Sequence, residues 1–237
     1  MNKQEMETRS EKLKSKWKAE QFDQKNDKCF VWDGIVDYEQ WFENTTKLMF
    51  FFKEAYSKNG ETEWNIATEG VAGHGGIFNV GNQANQATQY RIAEWAYAVE
   101  SAMNGKKELK HQDATANNRE NSRKAMLKSA WVNIRKIDGV ARSNDKVLAS
   151  IAQRDKHLLS EQIDLINPNI ILCGGTFGIV EGTLFQNAER IKETEFCYEW
   201  NGRLIIKFRH PGRAAITTFL TIFEDLNRIP NKDKYKK

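Results

Sequence analysis

Four polar segments follow short apolar runs in this 237-residue chain, and their residue types are those that support a reaction. The first surrounds Glu54. Leu48 to Phe52 (LMFFF) is an unbroken apolar run, the pattern of a strand buried on both faces of a parallel sheet. It ends in Lys53, Glu54 and Tyr56: a cation, a carboxylate and an aromatic hydroxyl. Open α/β sheets form their ligand crevice beyond the carboxyl ends of the strands, so a carboxylate there is a candidate general base. The competing reading is that Glu54 simply opens a solvated loop. Deciding between them needs other segments that reach the same place. By pattern there are three: Asn133 ends Trp131-Val132, Gly174-Gly175 follows Ile170 to Cys173, and His210 follows Arg203 to Phe208.

The elements that must position these groups alternate between helix and strand. Met1 to Lys28 reads as a charged helix anchored by Leu13, Trp17 and Phe22, and Phe30 to Phe42 as an aromatic-rich lead-in with a short helix. Gly60 to Gln89 is a long Gly/Asn loop around Ile77, Phe78 and Val80; it lacks a GxxxxGK[ST] motif, and His74 within it has no partner at ligand spacing. Thr88 to Met103 is an amphipathic helix, Gly105 to Ser122 a polar surface loop, and Ser143 to Ile166 one long helix stopped by Pro168. A helix is expected from Phe177 to Glu189. Asn201-Gly202 marks a type I′ turn between the hairpin strands Phe196–Trp200 and Arg203–Phe208, and a last helix runs from Ala214 to Asn227. This alternation predicts an α/β fold, a three-layer α/β/α arrangement with a central, largely parallel four-stranded sheet. The expected organisation is an N-terminal helical extension over 1–29, one α/β domain over 30–230 and a loose basic tail over 231–237.

Composition narrows the classes. A net charge of +4 fits a polyanionic partner without requiring one. Three cysteines, Cys29, Cys173 and Cys197, are widely spaced and odd in number, which opposes a disulfide framework, a CxxC metal site and four-cysteine cluster ligation. No apolar run reaches membrane-spanning length, and no secretory segment is evident at the start. The expectation is a soluble, cytoplasmic chain with no metal and no cofactor.

Taken in order, the motifs resemble those of the uracil-DNA glycosylase superfamily. That family opens with a strand and Gly-Gln-Asp-Pro-Tyr, where this chain has Phe52-Lys53-Glu54-Ala55-Tyr56. Gly76-Ile77-Phe78-Asn79-Val80 is similar to its aromatic segment, Trp131-Val132-Asn133 to its strand ending in Asn, Ile171-Leu172-Cys173-Gly174 to its strand into Gly, and His210-Pro211-Gly212 to its His-Pro-Ser. The resemblance spans about Lys47 to Leu226 and implies a monomeric DNA glycosylase. Such an enzyme flips a base out of DNA, hydrolyses its N-glycosidic bond and leaves an abasic site. It implies that Glu54 orients water and stabilises the sugar cation, while His210 supports the leaving base. Asn133 reads the base edge, Phe78 stacks on it, and Tyr56 and Lys53 form pocket walls. Gly174, Gly212 and Arg213 contact DNA.

The departures carry information too. Lys53 stands in place of Gln and Ala55 in place of Pro. Ala214 occupies the place of the family's bulky wedge, with Ile216 just beyond. They point to a damaged or modified base rather than plain uracil, and to the hypermodified DNA of an infecting phage as one such target. Two other classes remain open on the residues alone: a non-catalytic nucleic-acid-binding module that kept the pocket, and a hydrolase of free nucleosides or nucleotides.

Overall fold

The computed structural model describes residues 1–23, 29–55, 62–72, 83–137, 139 and 143–236, with the side chains at 70–72, 83–87, 118 and 213 outside that description. Its centre is strand β3 (Leu48–Phe52), every residue of which is buried. Side chains alternate across a strand, so Leu48, Phe50 and Phe52 enter one apolar cluster while Met49 and Phe51 enter another. Such a run gains nothing from an edge position, where one side of its backbone would lack a partner. It is paired in parallel on both sides, with β5 (Ala130–Asn133) and with β6 (Ile170–Gly174).

The remaining strands are β1 (Phe30–Trp32), β2 (Gly34–Ile35), β4 (Glu63–Asn65), β7 (Glu189–Arg190), β8 (Cys197–Trp200) and β9 (Arg203–Phe208). Among the described residues the main sheet has seven strands in the order β2-β5-β3-β6-β9-β8-β7, and β1 pairs with β4 separately. Strands β5, β3, β6 and β9 form a contiguous parallel block, flanked by antiparallel β2 at one edge and by β8 and β7 at the other. The sheet is thus wider than the four strands predicted. The parallel block holds the strands that carry the four exits, β8 is the first arm of the hairpin expected at Phe196–Trp200, and β2 and β7 are two residues long, so no apolar run announces them. The turn expected at Asn201-Gly202 is present, with φ of +48° and +70°, the pair of positive values a type I′ turn needs.

Helices α1 (Lys3–Gln21), α5 (Asp145–Arg154), α6 (Lys156–Ile166) and α7 (Phe177–Val180) contribute to the cluster that holds Met49 and Phe51. Helices α3 (Gln83–Met103), α4 (His111–Leu127) and α8 (Thr218–Asn227) contribute to the cluster that holds Phe50 and Phe52. A short α2 (Tyr38–Glu43) precedes β3.

Several expectations are corrected here. The helix predicted over Ser143 to Ile166 is two helices, broken at Asp155, whose carboxylate is buried and held by both Nε and Nη2 of Arg154 at 2.6 and 2.8 Å. The polar stretch read as a loop from Gly105 contains α4, which needs little more than Ala114, Ala125 and Met126 to seat it. The helix expected to reach Glu189 ends at Val180, and the last helix starts at Thr218 rather than Ala214. Part of the long Gly/Asn loop is ordered as β4, a π-helical turn (Ile66–Ala72) and the start of α3. In the terminal segment, Tyr235 is only 1% exposed and donates through its hydroxyl to Glu199 at 2.8 Å. Among the described residues, no helix is long and apolar enough to cross a membrane.

One buried ion pair ties the β5 exit to the rest. Asp33, between β1 and β2, accepts from the Asn133 backbone N–H at 2.8 Å, from Asn133 Nδ2 at 3.0 Å, from Gln162 Nε2 at 2.9 Å and from Lys136 Nζ at 2.5 Å. The Lys136 ammonium lies 5.3 and 5.7 Å from the ring centres of Trp17 and Trp32. Burial lowers its pKa from the ordinary lysine value, against the opposing pull of Asp33. Removing one partner of such a pair strands the other charge. Lys136→Met should therefore cost about 3–5 kcal/mol, and Asp33→Asn in the same chain should recover most of that loss. Urea midpoints at constant m-value measure both.

Candidate active site at the strand exits

Because β5, β3, β6 and β9 are parallel, their carboxyl ends lie along one edge of the sheet. The register fixes the rung there: Phe52 pairs with Asn133, and Gly174 with Phe208. Gly174 joins the two halves. A methyl group at this position would stand 2.4 and 2.6 Å from ring carbons of Phe52, so only glycine lets that ring lie flat across β6. Gly175 follows with φ +75°, and a methyl there would meet both Cβ and N of His210 at 3.2 Å. Its N–H donates to Phe208 O at 2.8 Å, and Thr176 Oγ1 donates to Phe51 O at 2.8 Å. These contacts hold the three exits in a fixed relation.

Glu54 lies on the β3 side. The pairing of β3 with β5 continues past both strands, through Ile134 N to Phe52 O at 2.9 Å and Arg135 N to Lys53 O at 3.1 Å. Arg135 thereby lies opposite Glu54. Its Nη1 approaches Glu54 Oε2 at 3.3 Å, while Ser143 Oγ donates to Oε1 at 2.6 Å. Gly139 closes the back, since a methyl on it would meet Glu54 Cγ at 3.0 Å and Ala55 O at 2.8 Å. The Glu54 side chain is 6% exposed.

Three consecutive residues at the start of α5 each do a separate job. Ser143 holds Glu54, Asn144 caps the helix by accepting from the N–H groups of Lys146 and Val147, and Asp145 Oδ1 pairs with Lys53 Nζ at 2.5 Å. Asp145, in the first turn, complements the positive end of the helix. Lys53 is turned towards α5. With Asp145 61% exposed, the pair adds little stability.

On the far side of β6, His210 is exposed with φ −65° and ψ 135°. Its Nδ1 accepts from Gly212 N at 3.2 Å, which assigns the hydrogen of the neutral ring to Nε2 and makes that edge a donor. Gly212 is close because it has no side chain: a methyl would lie 3.3 and 3.4 Å from the imidazole and 3.4 Å from Thr88 Oγ1. Glu54 and His210 each stand two residues past the common rung, on strands separated by β6. Two interstrand spacings of ~4.8 Å place their backbones about 10 Å apart along the edge.

Asn133 sits on the same rung, but it is 3% exposed and its amide donates to Asp33 at 3.0 Å, so that donor serves the β5 exit. The structure brings together Glu54, Lys53 and Asn133 around β3 and β5, and Gly174, His210 and Gly212 around β6 and β9. For Arg213 the backbone completes the 3-10 turn Pro211–Arg213, while its side chain is outside the described residues, as are Tyr56 and Phe78. Arg135 and Ser143 were not legible as partners of Glu54. The signal for Arg135 was available in the register, two residues past Asn133; Ser143 has none in the sequence.

The other chemistry available at this edge is limited by burial. Cys173, at the end of β6, is fully buried and its thiol is pushed up to about 12 by desolvation. Burial also raises the pKa of Cys197, which rules out an accessible thiolate at either position. Among the described residues no group of three His, Cys, Asp or Glu side chains could hold a metal ion. A cavity of ≈ 310 Å³ lies behind Arg135, lined also by Trp17, Lys136, Ile151 and Arg154. A larger groove of ≈ 660 Å³ between α1 and α6 lies away from the strand exits. No protein-family model, curated protein or solved structure matches the chain.

The glycine contacts predict opposite outcomes at two positions. Gly174→Ala should destabilise by about 1–3 kcal/mol, because the Phe52 ring must move. Gly178→Ala, in α7 where a methyl meets nothing within 4 Å, should be neutral or stabilising by up to about 1 kcal/mol. Thermal unfolding of both variants checks the pair.

Proposed function

We propose that the chain is a DNA glycosylase that draws a nucleotide into the crevice along this sheet edge and hydrolyses the bond between base and sugar. The observation that supports the reading best is that the four motif-bearing strands are the four contiguous parallel strands. Their polar exits therefore share one edge, as the resemblance to the uracil-DNA glycosylase superfamily requires. The three-layer α/β/α form, a monomeric state and DNA as partner belong to the same reading.

In this reaction the C1′–N bond breaks, its electron pair leaves with the base, and water adds to C1′ and releases a proton. Positive charge grows on the sugar and negative charge on the base. Glu54 supplies a fixed negative charge for the sugar, oriented by Arg135 and Ser143. His210 donates from Nε2 to the base oxygen on which anionic charge builds. Some 10 Å between their backbones leaves room for a nucleotide with one hydrogen bond of about 3 Å at each end. Asn133 is assigned to holding the β5 exit through Asp33 rather than to reading the base edge. We place the substrate outside plain uracil, among modified bases, with hypermodified phage DNA as the candidate. Ala55 and Lys53 depart from the family motif, and Lys53 belongs to α5 through Asp145.

One observation favours a second reading. Glu54 has both oxygens engaged and a guanidinium against it, which also suits a binding module in which the carboxylate only braces the edge. Glu54→Gln separates the two. For a glycosylase the rate of base release should fall about 10²–10³-fold with DNA affinity nearly unchanged. The assay incubates the protein with DNAs carrying a panel of damaged and naturally modified bases and detects released base by mass spectrometry, with abasic-site cleavage as a second readout. Release by Glu54→Gln at the wild-type rate would sink the mechanism. Release from free nucleosides, with little dependence of binding on salt, would point instead to a nucleoside hydrolase.

A further inference from the structure

Next to the His210 loop stands a charged cluster that the reaction does not use. Glu94, on α3, is 0% exposed. Arg91 Nη1 reaches its Oε2 at 2.9 Å and Arg119 Nε its Oε1 at 3.3 Å, so one buried carboxylate holds two guanidinium groups and a positive charge is left over. Arg91 and Arg119 side chains are 13% and 27% exposed. The Arg119 guanidinium carbon lies 4.1 Å from the centre of the Tyr90 ring, which fixes its plane. Arg91 Nε is buried and, among the described residues, has no hydrogen-bond partner.

The backbone that delivers Arg119 is unusual. Within α4, Arg119 and Asn117 have φ of +60° and +49°, the left-handed region that an arginine rarely enters. Ser122 Oγ donates back to Ala114 O at 2.7 Å, eight residues away, closing the distortion. Such conformations persist where the surroundings over-determine them, and they concentrate at ligand-binding positions. A purely structural ion cluster accounts for the burial of Glu94. It does not account for the surplus charge or the left-handed arginine. The location adds a direction: Thr88, one helical turn before Arg91, lies 3.4 Å from where a methyl on Gly212 would stand.

We infer that Arg91, Glu94 and Arg119 form a phosphate-binding site beside the His210 loop, and that its ligand is a backbone phosphodiester of DNA. The identity of the partner rests on the glycosylase reading. A planar guanidinium fork matches phosphate geometry, and a cluster with one surplus positive charge matches a singly charged diester. Glu94 then has two tasks: it holds the two forks in place, and it limits the site to one phosphate.

The test measures binding of the full-length chain to a short undamaged duplex across a range of salt concentrations. Arg119→Gln should weaken binding about tenfold at low salt, the loss of one charge-assisted contact. It should also reduce the slope of log affinity against log salt by ~0.9, one phosphate. Arg91→Gln should weaken binding and lower the slope in the same way. Arg203→Gln removes an equal charge at the other end of β9, where Arg203 pairs with Asp164 at 3.0 Å, and should leave the slope unchanged. The inference is overturned if folded Arg119→Gln keeps the wild-type slope, or if Arg203→Gln lowers the slope as much. If Arg119→Gln does not unfold cooperatively, Arg91→Gln decides, and an unchanged slope overturns the site. Base release separates this from the reading it rests on. An Arg119-dependent slope without release of any base refutes the glycosylase and keeps the site, whereas release with an Arg119-independent slope does the reverse.

Discussion

The parallel pairing of β3 between β5 and β6 is the constraint from which the rest of the structure follows. A strand of five apolar residues, three of them Phe, has no solvent-facing side, so it must be paired along both backbone edges and covered on both faces. Parallel pairing then sends all neighbouring strands out at the same edge. Polar residues in this part of the chain meet there because they have been displaced from the interior: Lys53 and Glu54 directly beyond Phe52, Arg135 two residues beyond Asn133, and Arg209 and His210 directly beyond Phe208.

Charge brought to the end of a buried strand has to be balanced, and this molecule balances it pair by pair. Asp33 meets Lys136, Glu54 meets Arg135, and Lys53 meets Asp145. The three pairs differ in depth and therefore in consequence. Asp33 and Lys136 are nearly inaccessible, so that pair fixes the β5 exit at the cost of desolvating both ions. Glu54 is buried while Arg135 is 24% exposed, which leaves the carboxylate positioned but within reach of the edge. Asp145 is mostly solvated and contributes register more than energy. Depth rather than residue type sorts a structural pair from a site pair.

The same physics explains what the sequence discloses. Runs such as Leu48–Phe52 and Ile170–Cys173 are legible because burial on both faces removes every polar residue, and Asn201-Gly202 is legible because few residues accept two positive φ values. Strand β8 is legible as the first arm of the hairpin that turns there, whereas β2 and β7 are two residues long, so the full width of the sheet leaves no such trace. The break at Asp155 is equally hidden, because the apolar spacing of Leu148, Leu159 and Ile163 continues through it. At the site, Glu54 and His210 are legible as strand exits. Their supports are not: Ser143 meets Glu54 across 89 positions and Asp33 meets Asn133 across 100, and no local pattern carries such distances.

How Glu54 is held bears on what kind of catalysis the proposed glycosylase would use. A general base must present a free oxygen to the water it activates, and Glu54 has a guanidinium against one oxygen and a hydroxyl donor on the other. A carboxylate that instead supplies a fixed charge gains from the same partners, because they hold it in place and remove the reorganisation that mobile water would need as charge develops. Reactions whose transition state is a cation tolerate that exchange. The sugar cation needs a nearby negative charge early, whereas the attacking water becomes strongly acidic only after its bond to carbon has begun to form. The bracing of Glu54 by Arg135 and Ser143 therefore suits electrostatic stabilisation of a late-attacked cation better than deprotonation of a strong nucleophile, and it makes Arg135 as much a part of the site as the carboxylate it holds.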